Sequence, residues 1–126
     1  MEVFRCPLDE SVTVVIPEKT DAEYKQVQEK FKEGNVAFTI LGTEEKAIIV
    51  DGEALKEDWF TDDHLLVIMA HELGHLETNT ENELAADQAG FDILVGSGAP
   101  GSAISLYAME IQARYCVTQE SLETHR

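Results

Sequence analysis

The chain has 126 residues and a net charge of −16, because 25 acidic residues outnumber 9 basic ones. A surface this acidic repels nucleic-acid phosphates and anionic membranes, so we expect neither as a partner. The length predicts a single domain over residues 1–126, and the hydrophobic fraction of 44% suffices for a core without disulfides.

The two cysteines, Cys6 and Cys116, are too few for a disulfide framework and lack the CxxC spacing of a metal or redox site. We expect both to be free thiols. Residues 1–10 lack the basic start and apolar run of a signal peptide, and no stretch approaches the length of a membrane span. A cytoplasmic location is therefore predicted.

The first half of the chain alternates between strand-like and helix-like patterns. The β-branched run 12–16 is typical of a strand. A helix is expected between Thr20, which can cap its first turn, and Gly34, which would end it. Two further β-rich runs, 36–41 and 46–50, are separated by a short polar segment, so a β-hairpin is predicted there.

The second half of the chain is predicted to be helical. Thr61 can cap a first helix, and the unbroken apolar run Leu65–Ala70 predicts that this helix is central and buried. Thr80 and Glu83 fit a capping box that would begin a second helix, which is expected to end near Val95.

A last helix is predicted from Ser102 to about Val117, followed by a polar tail, 118–126, that is expected to be loose. The resulting order is β-α-β-β-α-α-α. This order predicts an α+β fold in which a small mixed sheet of about three strands packs on the central helix.

The sequence HELGH at residues 71–75 is an HExxH motif. On a helix, His71 and His75 project from nearly one face, about 6 Å apart along the axis, so both imidazoles can hold one metal ion. Glu72 is rotated by about 100° and is expected to deprotonate a water that the ion activates. Gly74 would let another element, such as a substrate-binding strand, pass close to the helix.

A catalytic zinc normally takes three protein ligands, so two histidines are an incomplete set. The short turn after His75 predicts that the next helix packs antiparallel, with Glu83 closest to His75 and Asp87 level with His71. Glu83 is then the expected third ligand, and Asp87 the acceptor for the outer N–H of the His71 ring. In the competing interpretation, Glu83 folds back into the capping box with Thr80 and does not reach the metal.

The combination of HELGH and NELAAD, within residues 71–87, resembles the signature of the gluzincin metallopeptidases, HExxH on one helix and NExxxD on the next. The resemblance implies a zincin-like fold and a zinc-dependent endopeptidase with Glu72 as general base. It also implies one zinc ion, bound by His71, His75 and Glu83. The short gap between His75 and Glu83 is similar to that of the minimal gluzincins and the ImmA/IrrE-like peptidases.

The resemblance also carries expectations about the substrate. A peptide or protein substrate would lie extended along an edge strand, either 36–41 or 46–50. The family usually has a further donor that stabilises the oxyanion, after the glutamate helix. Tyr107 is the preferred candidate for that donor, ahead of Tyr115 and His125.

Three alternatives stay open. The protein could be latent, with a group of the tail 118–126 occupying the open position of the zinc. It could be an ImmA/IrrE-like regulatory peptidase that cuts one cognate repressor. It could also be a non-catalytic module that keeps zinc for structure or partner binding, although such a site has no need of a general base such as Glu72.

Overall fold

The computed structural model describes residues 1–32, 35–41 and 44–124, with side chains for all of these except Lys32 and residues 114–124. The described chain is a mixture of α and β structure. Its strands are β1 (Glu2–Cys6), β2 (Asp9–Ile16), β3 (Ala37–Thr39) and β4 (Ala47–Val50). Its α-helices are α1 (Tyr24–Lys32), α2 (Asp62–Thr78), α3 (Glu83–Gly96) and α4 (Gly101–Thr124), and a short 3-10 turn lies at Ala54–Lys56.

The four strands form one mixed sheet in the order β1-β2-β4-β3. The predicted hairpin is confirmed, because β3 pairs antiparallel with β4. β4 also pairs parallel with β2, and β1 pairs antiparallel with β2. The α+β class is therefore confirmed.

The expectation of about three strands is wrong, because β1 adds a fourth. Only one of its five residues, Cys6, is buried. Phe4 and Cys6 pack in the core and the other three residues are exposed, so β1 is held by these two side chains and by its ladder of hydrogen bonds with β2. The hydrophobic alternation that reveals a half-buried strand is weak in such a segment.

Two helices lie on opposite faces of the sheet. Alternate residues of β2, among them Val12 and Val14, belong to a core that also contains Met69 and Leu73 of α2. On the other face, Phe31 of α1 packs against Phe38 of β3, with ring centroids 5.7 Å apart. The sheet is thus packed against α2 on one side, and α1 contacts the other side through Phe31.

The central position predicted for α2 is confirmed, since this helix contacts the sheet, α3 and α4. It begins after Thr61, as predicted, and the Thr61 hydroxyl accepts a hydrogen bond from the backbone N–H of His64. Val67 and Ala70 from the apolar run are buried against α4, together with Tyr107. An apolar run with no polar face is buried here because packed elements surround the helix.

α2 and α3 pack so closely that their backbones touch. A Cβ atom added to Gly74 of α2 would lie 2.0 Å from the carbonyl oxygen of Ala86 in α3, and one added to Gly90 of α3 would lie 2.5 Å from the carbonyl oxygen of Ala70. The close approach of another element expected at Gly74 is confirmed, but that element is α3 and not a substrate-binding strand.

The last helix is longer than predicted. α4 runs to Thr124, past the expected end at Val117, so the tail expected to be loose is helical over 118–124. No glycine or proline interrupts residues 102–124, which explains why no helix end occurs earlier. The latency hypothesis concerns side chains of 118–126, and these lie outside the described residues.

Two smaller expectations concern the thiols and the membrane. Cys6 is a buried free thiol whose pKa is raised by burial, whereas the side chain of Cys116 lies outside the described residues. Among the helices that the structure describes, none has the length and apolar character needed to cross a membrane.

Candidate metal centre

The residue that caps the start of α3 determines the direction of the Glu83 side chain. The N-cap of α3 is Asn82, whose side-chain oxygen accepts the backbone N–H of Ala85 at 3.0 Å. The predicted capping box between Thr80 and Glu83 is therefore wrong, because Asn82 already occupies the N-cap position. The Glu83 carboxylate is instead in contact with His71 and His75.

The side chains of His71, His75 and Glu83 converge on one point between α2 and α3. The two Nε2 atoms of the histidines lie 3.2 Å apart. Glu83 Oε2 lies 3.0 Å from His71 Nε2, and Glu83 Oε1 lies 3.3 Å from His75 Nε2. Donor atoms bound tetrahedrally at about 2.0–2.1 Å from one zinc ion are roughly 3.3 Å apart, so the observed spacing fits such a donor set.

Asp87 lies directly behind His71. Its Oδ1 is 2.8 Å from His71 Nδ1, and the side chain is 2% exposed. Asp87 follows Glu83 by one turn of α3, as His71 precedes His75 by one turn of α2. The antiparallel packing expected for the two helices therefore brings these four side chains together.

His75 is oriented by a backbone group that the sequence did not reveal. Its Nδ1 lies 2.7 Å from the carbonyl oxygen of Thr80. Asn79 ends α2 in the left-handed conformation, with φ of 50°, and this turn brings Thr80 back towards the ring. No side-chain motif marks a carbonyl in this role, so the contact could only be found in the structure.

These contacts set the protonation of both rings. The carbonyl of Thr80 can only accept a hydrogen bond, and the same is true of an ionised Asp87, so each histidine Nδ1 carries a proton. In the neutral tautomer each Nε2 then bears a lone pair. In that tautomer both lone pairs and the Glu83 carboxylate point at one place. A metal cation at this place would offset the repulsion between them.

Glu72 lies beside this point and is shielded from solvent. Burial raises the pKa of Glu72 from 4.5 to about 7; the charge of His75 lowers it and that of Glu83 raises it further. Donor atoms of His71, Glu72 and His75 all lie within 4.8 Å of one another, a grouping that could bind a metal ion. The Glu83 oxygens lie closer still to the histidines, with Oε2 3.0 Å from His71 Nε2 and Oε1 3.3 Å from His75 Nε2.

The site opens into a cleft of about 830 Å³. Residues 35–41 form one wall, and parts of α2, α3 and α4 form the others. β3 is at the edge of the sheet, whereas β4 lies between β2 and β3. Of the two strands considered for substrate binding, only 36–41 therefore offers an unpaired edge within the described sheet.

The pairing of β3 shows which of its peptide groups are free to face the cleft. The Val36 carbonyl accepts the N–H of Asp51 at 2.8 Å, so this pair is hydrogen-bonded. Peptide groups in an antiparallel ladder alternate between the two sides of the strand. The N–H and C=O groups of Ala37 and Thr39 therefore point away from β4, towards the open edge.

Tyr107 of α4 lies behind Asp87. Its ring is 1% exposed, and its hydroxyl donates to Asp87 Oδ1 at 3.5 Å. The oxyanion role expected for Tyr107 stays a prediction, but its hydroxyl is directed at Asp87. The side chains of Tyr115 and His125, the other candidates, lie outside the described residues.

Comparisons of the chain with protein-family models, with curated proteins and with solved structures find no match. The resemblance to gluzincins therefore rests on residues 71–87 and on the arrangement of their side chains. Function has to be argued from the chemistry of this site.

Proposed function

We propose that the protein is a zinc-dependent endopeptidase of the gluzincin type, with a zincin-like fold and one zinc ion held by His71, His75 and Glu83. The observation that carries the proposal is the convergence of these three side chains, with Nε2 and carboxylate atoms 3.0–3.3 Å apart and both Nδ1 protons engaged elsewhere. A metal cation at that point would be stabilised by all three side chains, and two imidazoles with one carboxylate are a common donor set for catalytic zinc.

The choice of Glu83 over Glu72 as third ligand follows from geometry. The distances from the Glu83 oxygens to the two Nε2 atoms, 3.0 and 3.3 Å, are close to those between ligand atoms of a tetrahedral zinc site. Glu72 instead follows His71 directly in α2 and is turned about 100° away from it. When bound, zinc would act as a Lewis acid on a carbonyl and lower the pKa of a water molecule.

Glu72 is suited to move a proton at this site. Its carboxylate is 7% exposed and has a pKa of about 7 in the metal-free protein, which suits a group that both accepts and releases a proton near neutral pH. Its carboxylate would take a proton from the attacking water and later give it to the amine that leaves.

The substrate is proposed to be a peptide or protein that adds a strand to β3. The outward peptide groups of Ala37 and Thr39 supply main-chain hydrogen bonds to an extended chain. Because β3 and His71 line the same cleft, a segment bound at this edge passes beside the metal centre. Main-chain recognition of this kind is independent of the substrate sequence, and the walls of the cleft would supply selectivity.

The proposal is tested by Glu72→Gln, with Glu77→Gln as the matched control. Glu77 lies on the same helix, but it is exposed and does not line the cleft. We expect Glu72→Gln to bind one zinc ion and to lose roughly 10²–10⁴-fold in the rate of cleavage of a peptide library, because the general base is gone. Glu77→Gln should cleave like the wild type.

Two results would contradict the proposal. Equal cleavage rates for the wild type and Glu72→Gln would show that Glu72 is not the general base. Zinc binding by a wild type that, like Glu72→Gln, cleaves nothing in the library would favour a non-catalytic zinc module.

A further inference from the structure

Tyr107 is a buried polar residue that the proposed mechanism does not use. Its hydroxyl lies 3.5 Å from Asp87 Oδ1, the same oxygen that is 2.8 Å from His71 Nδ1. These contacts connect Tyr107, Asp87 and His71 in series. The series leads from the core of α4 to the metal-binding face of α2.

The ring of Tyr107 is held firmly. It is packed in an apolar cluster with Leu94 of α3 and Ala103 of α4, and Phe91 contacts it edge to face at a centroid distance of 6.0 Å. A ring held on several sides has one position for its hydroxyl, apart from rotation of the proton. The direction of the hydroxyl towards Asp87 is therefore a property of the fold.

Gly90 provides the space through which this hydroxyl reaches Asp87. A Cβ atom at position 90 would lie 2.4 Å from the Tyr107 hydroxyl oxygen. Glycine inside a helix costs about 1 kcal/mol relative to alanine, so its presence three residues after Asp87 is unfavourable for α3 alone. The contact with Tyr107, together with the close approach of Ala70, accounts for a glycine at this position.

A hydrogen bond from Tyr107 stabilises the buried carboxylate of Asp87. A buried carboxylate is costly unless hydrogen bonds satisfy its oxygens, and each donor favours its ionised form. The hydrogen bond from the His71 N–H links the position of the carboxylate to the same ring that the carboxylate orients. A second donor from a rigid ring on another helix fixes the carboxylate independently.

We propose that Tyr107 is a positioning residue of the metal centre: its hydroxyl fixes Asp87, and Asp87 in turn fixes the His71 ring with Nε2 towards the ion. The inference rests on the proposed zinc site. A hydroxyl proton given to Asp87 is not available to an oxyanion, so this role replaces the one expected from the resemblance.

The test is Tyr107→Phe, with Tyr24→Phe as the matched control. Phenylalanine keeps the ring in the apolar cluster and removes only the hydroxyl. Tyr24 also donates its hydroxyl to an aspartate, Asp51, at 3.1 Å, but this pair does not line the cleft. We expect zinc affinity, measured by chelator competition, to fall about fivefold in Tyr107→Phe, less than the roughly 10–100-fold that loss of a direct partner costs. Tyr24→Phe should stay within about twofold of the wild type.

A double-mutant cycle distinguishes positioning from a general loss of packing. Asp87→Ala removes the carboxylate that the Tyr107 hydroxyl is proposed to position. In that background Tyr107→Phe should therefore cause no further loss of zinc affinity. A fivefold loss that persists without Asp87, or zinc affinity in Tyr107→Phe equal to that of the wild type, would overturn the inference.

The metal-free protein offers a second readout that does not depend on zinc. In the wild type the Nδ1 proton of His71 should give a slowly exchanging NMR signal, and in Tyr107→Phe this signal should exchange faster. An unchanged signal would overturn the inference. If the wild type binds no zinc but this signal responds to Tyr107→Phe, the proposed function fails while the Tyr107–Asp87–His71 connection stands.

Discussion

The two histidine rings of the candidate metal centre are oriented by different kinds of hydrogen-bond partner. The outer nitrogen of His71 is held by a buried carboxylate, Asp87, and that of His75 by the backbone carbonyl of Thr80. Both partners leave Nε2 without a proton and directed at the same point.

Glu72 leads to a prediction on stability. In the metal-free protein its pKa is raised from 4.5 to about 7, chiefly by burial, so between these values the folded state holds a proton that the unfolded state releases. Stability from this group is full at low pH and is lost as the pH rises through 7. We expect the free energy of unfolding, relative to that of Glu72→Gln, to fall by roughly 2–3 kcal/mol between pH 5 and pH 8.

The measurement is urea denaturation of both metal-free proteins across this pH range. Glu77→Gln serves as the control and should follow the wild type, because Glu77 is exposed. Parallel pH profiles for the wild type and Glu72→Gln would show that Glu72 is not a buried acid with a raised pKa.

At the scale of the elements, the site depends on how closely α2 and α3 pack. The backbone contact between Gly74 and Ala86 sets the distance between the helices, and that distance sets the reach of Glu83 to the histidines. We expect Gly74→Ala to destabilise the protein by about 1–3 kcal/mol through overpacking and to weaken zinc binding, because its Cβ would push α3 away.

Gly96→Ala is the matched control for this prediction. Position 96 is also in α3, but a Cβ atom there meets nothing within 4 Å. We expect this variant to be neutral or slightly stabilised, in line with the higher helix propensity of alanine. Urea denaturation and zinc titration of both variants check the pair; equal behaviour of the two would contradict the role given to Gly74.

Patterns that extend over several residues predicted helices and strands well. Single capping residues did not always predict where a helix begins. The apolar run before His71 and the spacing of the motif indicated α2, and the two β-rich runs indicated the β3–β4 hairpin. The N-cap of α3 was missed because Thr80–Glu83 and Asn82 are both acceptable caps by sequence, and backbone geometry chooses between them. β1 was missed because only Phe4 and Cys6 of its five residues pack in the core, which is a short hydrophobic alternation.

At the scale of the whole molecule, the described part of the fold places a strand edge without a partner strand beside a set of side chains that could bind a metal ion. The sequence indicated that His71, His75, Glu83 and Asp87 would meet, because helical periodicity and a short turn determine their relative positions. Neither the Thr80 carbonyl nor the position of Tyr107 behind Asp87 could be predicted, since both depend on the packing of elements distant from the motif. Local motifs therefore predicted which side chains meet, and the fold shows which groups support them.

The central claim is that His71, His75 and Glu83 hold one zinc ion while Glu72 stays free for proton transfer. Its most direct test is a crystal structure of the zinc-loaded protein with anomalous diffraction at the zinc edge. We predict a single peak per chain, about 2.0–2.2 Å from both Nε2 atoms and from one Glu83 oxygen, with Glu72 outside bonding distance. A peak bonded to Glu72 in place of Glu83, or no peak between the two histidines, would contradict the account.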